Sequence, residues 1–176
     1  MRSVSPFAPA ALAVLLVSCD TEAPTRFVAD FQGVGAATNP TATLSGDQEV
    51  PARDTRARGQ AVFQLSADGE SIDFRLMIAN IENTTQSHIH LAPAGVNGGI
   101  VVWLRPSAPP LQLVPGRFDG VYAEGSITAS SLVGTLAGRP LSALLDEMRA
   151  GNTYVNVHTS QFAGGEIRGQ IRVNGR

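Results

Sequence analysis

Apolar and polar residues alternate along most of the chain after position 40, a pattern typical of β-strands with one buried face. Residues 59–65 and 71–79 each place a row of apolar side chains on one face. The sequence Ala67-Asp68-Gly69 between them is a turn signal, so the two runs predict a β-hairpin. Similar short runs predict further strands, for a total of about eight, over residues 41–44, 86–91, 99–104, 118–127, 153–158 and 166–173.

One window has helical periodicity instead. Residues 140–150 repeat leucine and methionine at helical spacing. Pro140 suits the first helical position, and Gly151 suits the C-cap. We therefore expect an all-β domain, an antiparallel β-sandwich or barrel, with one short helix near residues 140–150 covering an open end.

Composition and charge exclude some classes of function. The 176 residues suit a single domain, and the 18 glycines and 11 prolines suit a fold with many turns. The formal net charge is -2 and no basic cluster occurs, so we expect no binding to nucleic acid. All 13 basic residues are arginine, which excludes a catalytic lysine.

The amino terminus is typical of an export signal. Arg2 precedes an apolar run over residues 10–17 that is too short to span a bilayer. The sequence Leu16-Val17-Ser18-Cys19 resembles the bacterial lipobox, in which the cysteine is lipidated and becomes the first residue of the mature protein. Cys19 is the only cysteine, so no disulfide can form within the chain. The alternative is an ordinary signal peptide that happens to contain a cysteine.

The lipobox predicts three segments and a location. Residues 1–18 are expected to be a lipoprotein signal peptide, residues 19–40 a lipidated cysteine with a flexible tether, and residues 41–176 the folded domain. Acyl chains on Cys19 would anchor the protein to a membrane. We thus expect an exported protein of the bacterial cell envelope, on its periplasmic or extracellular face.

All three histidines fall in two predicted strands. His88 and His90 are two residues apart, which puts both rings on one strand face with Cα atoms about 6.5–7 Å apart. His158 ends the strand over residues 153–158, so the three rings would share one surface if these strands are neighbours. A solvent-open site of three imidazoles suits copper or zinc better than calcium or magnesium. Alternatively, the histidines form a polar strand face or a hydrogen-bonded structural network.

The fourth ligand of such a site is not evident. Glu49 and Glu166 lie at strand or turn edges and are candidates, although each could equally be a solvated carboxylate or a partner of an arginine such as Arg168. Asn156 could support the site by orienting a ring through a hydrogen bond. No nucleophile elbow or phosphate-binding loop occurs, so no catalytic constellation is recognised and we expect no enzymatic activity.

Several motifs together resemble the CHRD domain family, named from repeats in the secreted antagonist chordin. They occur in the family's order as LSGDQEVP (44–51), GQAVFQL (59–65), SHIH (87–90), AGVNG (94–98), NTYVNVHT (152–159) and FAGGEIRGQI (162–171). One departure is Ala52-Arg53-Asp54, where a second proline is common. The resemblance implies a compact extracellular or envelope β-sandwich, often a lone domain behind a signal peptide, with no well-established enzymatic activity.

The predicted architecture is immunoglobulin-like or similar to Cu/Zn superoxide dismutase, another β-sandwich with an H-x-H copper pair. A dinuclear dismutase site is not expected, because the chain has only three histidines. The leading hypothesis is a lipid-anchored, non-enzymatic binding protein whose partner is copper or zinc at His88, His90 and His158, another protein or an envelope polymer. The alternatives are a mononuclear copper redox enzyme and a purely structural or protein-interaction module without metal.

Overall fold

The computed structural model describes Met1 and residues 39–173. The predicted signal peptide beyond Met1, Cys19 and nearly all of the tether lie outside the described residues. The described elements are β1 (Pro40–Ser45), β2 (Arg58–Leu65), β3 (Ile72–Leu91), β4 (Gly99–Arg105), β5 (Val114–Ile127), α1 (Leu141–Ala150), β6 (Thr153–Thr159), β7 (Ile167–Gln170) and β8 (Arg172–Val173), with short 3-10 turns at Gly46–Gln48, Ala129–Ser131 and Gly134–Leu136.

The long strand β3 organises the sheet. The two strands predicted over residues 71–79 and 86–91 are one strand of 20 residues, so their separation was wrong. Asn80 and Asn83 adopt positive φ between the two halves, where the pairing register also shifts. Asparagine tolerates this conformation better than most residues, which lets the strand continue past a bend.

The sheet closes on itself through β3. The first half of β3 pairs with β2 and β5, and the second half pairs with β4 and β6. Strands β2, β1, β7 and β6 are successive neighbours, so they link the two halves of β3 into a closed path. All pairings are antiparallel. Among residues 39–173 the predicted all-β class with eight strands and one α-helix is confirmed, in a barrel-like arrangement. The last predicted strand is divided into β7 and β8.

The helix α1 follows the sequence prediction closely. It buries Leu141, Leu144 and Met148, as its spacing indicated, and packs against β8. Gly151 ends it in the left-handed conformation with φ of 74°. Pro140 is the N-cap and not the predicted first helical residue, so the helix begins one residue later than expected. Within the part of the chain that the structure describes, no helix has the length and apolarity needed to cross a membrane.

Candidate metal centre

The pairing of β3 with β6 brings the three histidines together. In the antiparallel register His88 is opposite Asn156, His90 is opposite Tyr154, and His158 is opposite Gln86. The intervening residues of both strands, among them Ile89, Val155 and Val157, belong to the hydrophobic core. Because side chains alternate along a strand, the histidines lie on the other face. The expectation that the three rings share one face is confirmed.

This face is buried, which corrects the prediction of a solvent-open site. His88, His90 and His158 are 0%, 8% and 7% exposed, respectively. Backbone of the β3–β4 loop and of the β6–β7 loop contacts two of the rings, and Trp103 of β4 packs edge-on against His88 with ring centroids 4.3 Å apart. Strand periodicity does not reveal that loops fold over a polar face, so burial could not be read from it.

Ring nitrogens of the three histidines converge, and one pair has the spacing of two ligands of a single ion. One ring nitrogen from each histidine lies within 4.8 Å of the other two. Nδ1 of His88 and Nε2 of His158 are 3.2 Å apart. Two nitrogens bound to one tetrahedral ion at about 2.0–2.1 Å stand about 3.3 Å apart. The His88–His158 pair therefore already has this separation, and His90 would complete the set by a small movement of its ring.

A backbone carbonyl determines the tautomer of His158. Its Nδ1 lies 2.9 Å from the carbonyl oxygen of Ala163, which can only accept a hydrogen bond. Nδ1 of His158 thus carries the proton, and its Nε2 keeps a lone pair directed at His88. Metal-binding histidines are held in the same way, with the second ring nitrogen donating to a carbonyl or carboxylate.

His90 has an acceptor at each ring nitrogen. Its Nδ1 lies 3.0 Å from the carbonyl oxygen of Gly98, and its Nε2 lies 3.0 Å from Oδ1 of Asn156. A neutral imidazole has only one N–H, so one of the two contacts joins a lone pair to an acceptor. When the proton is on Nδ1, rotation of the Asn156 amide or a cation between Nε2 and Oδ1 relieves that contact. Asn156 thus contacts a ring, as its predicted supporting role requires.

The cluster is electrically neutral near pH 7. The pKa of His88 is lowered to about 3, chiefly by burial. The nearby His158 and His90 rings contribute to the same lowering. Burial also lowers the pKa of His158 to about 4, although its hydrogen bond to Ala163 opposes the change. The pKa of His90 is lowered as well, chiefly by burial. Neutral imidazole is the form that binds metal ions.

His88 contains a buried nitrogen without a hydrogen-bond partner. Its Nε2 is inaccessible to solvent and contacts no donor or acceptor among the described residues. It is one of six such side-chain atoms among the described residues, and an ion or an ordered water commonly satisfies such an atom. His88 is the most buried of the three histidines, and its ring packs against Trp103.

The two predicted carboxylate candidates lie outside the histidine cluster. Glu49 is buried and pairs with Arg168, with 2.9 Å between Oε2 and the guanidinium nitrogen. Burial raises the pKa of the Glu49 carboxyl, and the Arg168 charge opposes that rise. Glu166 accepts hydrogen bonds from the hydroxyls of Thr55, at 2.7 Å, and Thr159, at 2.8 Å. Neither glutamate is grouped with the three histidines.

Sequence reasoning missed several groups that build the site. The backbone carbonyls of Gly98 and Ala163 could not be predicted as ring contacts, because every residue has a carbonyl and its direction depends on the folded backbone. Tyr154 stacks on His90 with the rings 4.8 Å apart and 5° from parallel. Its position two residues before Asn156 on the polar face of β6 was the available clue.

A comparison with models of known families gave one match. The CHRD domain model matches residues 41–171, which include all three histidines and every described strand except the first residue of β1 and the whole of β8. Searches of curated proteins and of solved structures each gave no significant match. Since the match covers well over half of the 176 residues, the chain belongs to the CHRD domain family.

Proposed function

We propose that this CHRD domain is a non-enzymatic binding module that holds one copper or zinc ion at His88, His90 and His158. The observation that carries the proposal is the convergence of three ring nitrogens within 4.8 Å of one another in a buried, neutral cluster. A hydrogen bond from Nδ1 of His158 to a carbonyl leaves its Nε2 without a proton and with a lone pair directed into the cluster, as metal-binding histidines require.

The donor atoms favour particular metals. Imidazole nitrogen suits Cu(II) and Zn(II), whereas calcium and magnesium prefer oxygen ligands. No thiolate contributes among the described residues, and a thiolate or thioether would be expected for a dedicated Cu(I) site. Burial of the three rings favours retention of the ion over turnover at an open coordination position, so it supports a binding role above a copper redox enzyme.

The only tryptophan supplies a direct assay for this proposal. Trp103 lies 4.3 Å from His88, so a paramagnetic Cu(II) ion in the cluster would quench its fluorescence efficiently. We expect saturable quenching of the purified, untagged protein at one Cu(II) per chain. Zn(II) should compete for the site without quenching. The measurement is a fluorescence titration, with elemental analysis of the protein purified without chelators.

Two variants make this titration decisive. The double variant His88→Ala, His90→Ala should lose the saturable phase. Gln86→Ala changes the same strand face opposite His158 without removing an imidazole and should titrate like the unaltered protein. Absence of stoichiometric uptake by the unaltered protein, together with a destabilised double variant, would contradict metal binding and favour the purely structural role.

The proposal includes an exported, lipid-anchored location in the bacterial envelope, which rests on the lipobox at Cys19. Cys19→Ser should move the protein from the membrane fraction to the soluble fraction of a bacterial host, because lipid attaches to the thiol. Ser18→Ala keeps a small residue before the cysteine and should remain in the membrane fraction. Fractionation with mass spectrometry of the mature amino terminus is the measurement. Membrane retention of the serine variant would contradict the anchor.

A further inference from the structure

A buried arginine lies against the tyrosine ring that stacks on His90. Arg168 of β7 is 3% exposed and pairs with Glu49. The same guanidinium donates to the carbonyl oxygen of Val96, at 3.2 Å, and to the side-chain oxygen of Asn97. Arg168 therefore attaches the loop between β3 and β4, residues 92–98, to strand β7 and to the buried Glu49 carboxylate.

That loop is also attached to the histidine site, through Gly98. The Gly98 N–H donates to the Tyr154 hydroxyl at 3.2 Å, and the Gly98 carbonyl contacts Nδ1 of His90 at 3.0 Å. The Arg168 guanidinium lies 4.2 Å from the centroid of the Tyr154 ring, and that ring is stacked on His90. Arg168 thus contacts both the 92–98 loop, which carries the Gly98 carbonyl, and Tyr154, which stacks on His90.

The position of this carbonyl matters because two acceptors compete for one proton. Gly98 can hold the proton of a neutral His90 on Nδ1, whereas Oδ1 of Asn156 can hold it on Nε2. The first tautomer leaves the Nε2 lone pair for a metal. The second occupies that lone pair with a proton. A small displacement of the loop would weaken only the first contact, because Asn156 belongs to β6 and not to the loop.

We infer that Arg168 is a positioning residue for the histidine site. By holding the 92–98 loop, it keeps the Gly98 carbonyl in contact with Nδ1 of His90, so the proton stays on Nδ1 and Nε2 keeps its lone pair. The consequence for metal affinity rests on the proposed function. The tautomer of His90 does not, because it is a property of the metal-free protein.

The test removes Arg168 without leaving a buried charge unpaired. In the double variant Glu49→Gln, Arg168→Met both charges are lost together, which is often tolerated where loss of one partner is not. Asn97→Ala is a second variant that removes one Arg168 contact at an exposed position, so it is expected to fold. Glu166→Gln is the matched control, because Glu166 is also a buried carboxylate but bonds to Thr55 and Thr159.

The measurement is the tautomer of each ring in the metal-free full chain, from long-range ¹⁵N–¹H correlation spectra. The three histidines give three separate ring systems, and His158 is an internal standard because its proton is held by Ala163. In the unaltered protein and in Glu166→Gln, His90 and His158 should both carry the proton on Nδ1. In the double variant, the proton of His90 should move to Nε2 while that of His158 stays. In Asn97→Ala the same change should be partial.

Copper titration of the same proteins separates this inference from the proposed function. Loss of a group that orients a ligand typically weakens metal affinity by 10–100-fold, so we expect about a tenfold loss in the double variant and none in the control. An unchanged His90 tautomer in both the double variant and Asn97→Ala would overturn the positioning role. A tautomer change in a protein that binds no metal when unaltered would support that role and overturn the proposed function.

Discussion

The metal-free protein is expected to lose several kcal/mol of folding free energy as the pH falls from 7 to 5. In the folded state burial lowers the pKa of His88 to about 3 and that of His158 to about 4, from an ordinary value of 6.5. Below pH 6.5 the unfolded chain therefore binds protons that the folded protein excludes. The stabilisation is complete above pH 6.5 and is lost progressively as the pH falls toward the folded-state values.

The size of this loss follows from the pKa difference. Each pH unit below 6.5 costs about 1.4 kcal/mol for each excluded proton, or about 2 kcal/mol per histidine at pH 5. Two such histidines remove about 4 kcal/mol, which is a large share of the 5–15 kcal/mol typical of a domain. Urea unfolding of chelator-treated protein at pH 7.5, 6 and 5 measures the effect.

A single substitution provides the control for this pH dependence. His158→Gln keeps a group able to donate to the Ala163 carbonyl but removes one titrating ring, so about half of the pH dependence should disappear. Saturating Zn(II) should raise the stability by a similar amount at each of these pH values and leave the slope unchanged, because the folded-state rings are already neutral and the ion binds that form. Equal stability of the unaltered protein at pH 7.5 and pH 5 would contradict the exclusion of protons from the cluster.

Removing the Glu49 charge alone is expected to destabilise the fold by about 3–5 kcal/mol. In Glu49→Gln, Arg168 would remain 3% exposed without a carboxylate, and an uncompensated buried charge is costly. Glu49 and Arg168 are 119 positions apart in the sequence, and their ion pair joins the turn after β1 to β7. Loss of this ion pair should therefore also loosen that contact. Chemical denaturation at pH 7 measures the difference in the free energy of unfolding.

An exposed ion pair serves as the comparison. Asp146→Asn breaks the pair between Asp146 and Arg149 on α1, whose side chains are 72% and 55% exposed, and should cost less than about 1 kcal/mol. The double variant Glu49→Gln, Arg168→Met should be more stable than Glu49→Gln, because it removes the unpaired charge. A Glu49→Gln variant no less stable than Asp146→Asn would show that the buried pair contributes little to stability.

Local periodicity predicted much of this molecule, because it follows from backbone geometry that every strand and helix shares. The alternation over residues 59–65 and 71–79 correctly predicted a hairpin, and the leucine spacing after Pro140 predicted α1. The two-residue spacing of His88 and His90 also determined that their rings share a face. The same reasoning failed at Asn80 and Asn83, since a turn-like pair of asparagines inside a continuous strand looks like a break between two strands.

The sequence by itself determined the all-β class, the helix after Pro140, the family and the presence of three histidines on strand faces. Only the tertiary structure decided that β3 and β6 are neighbours, that two loops bury the rings, and that Glu49 meets Arg168 rather than the histidines. The physical reason is the separation in sequence of the residues that interact. Strand periodicity depends on adjacent residues, whereas burial, tautomer and pKa depend on groups that only folding brings close together. The carbonyls of Gly98 and Ala163 illustrate this, since their direction depends on loop conformation and not on residue type.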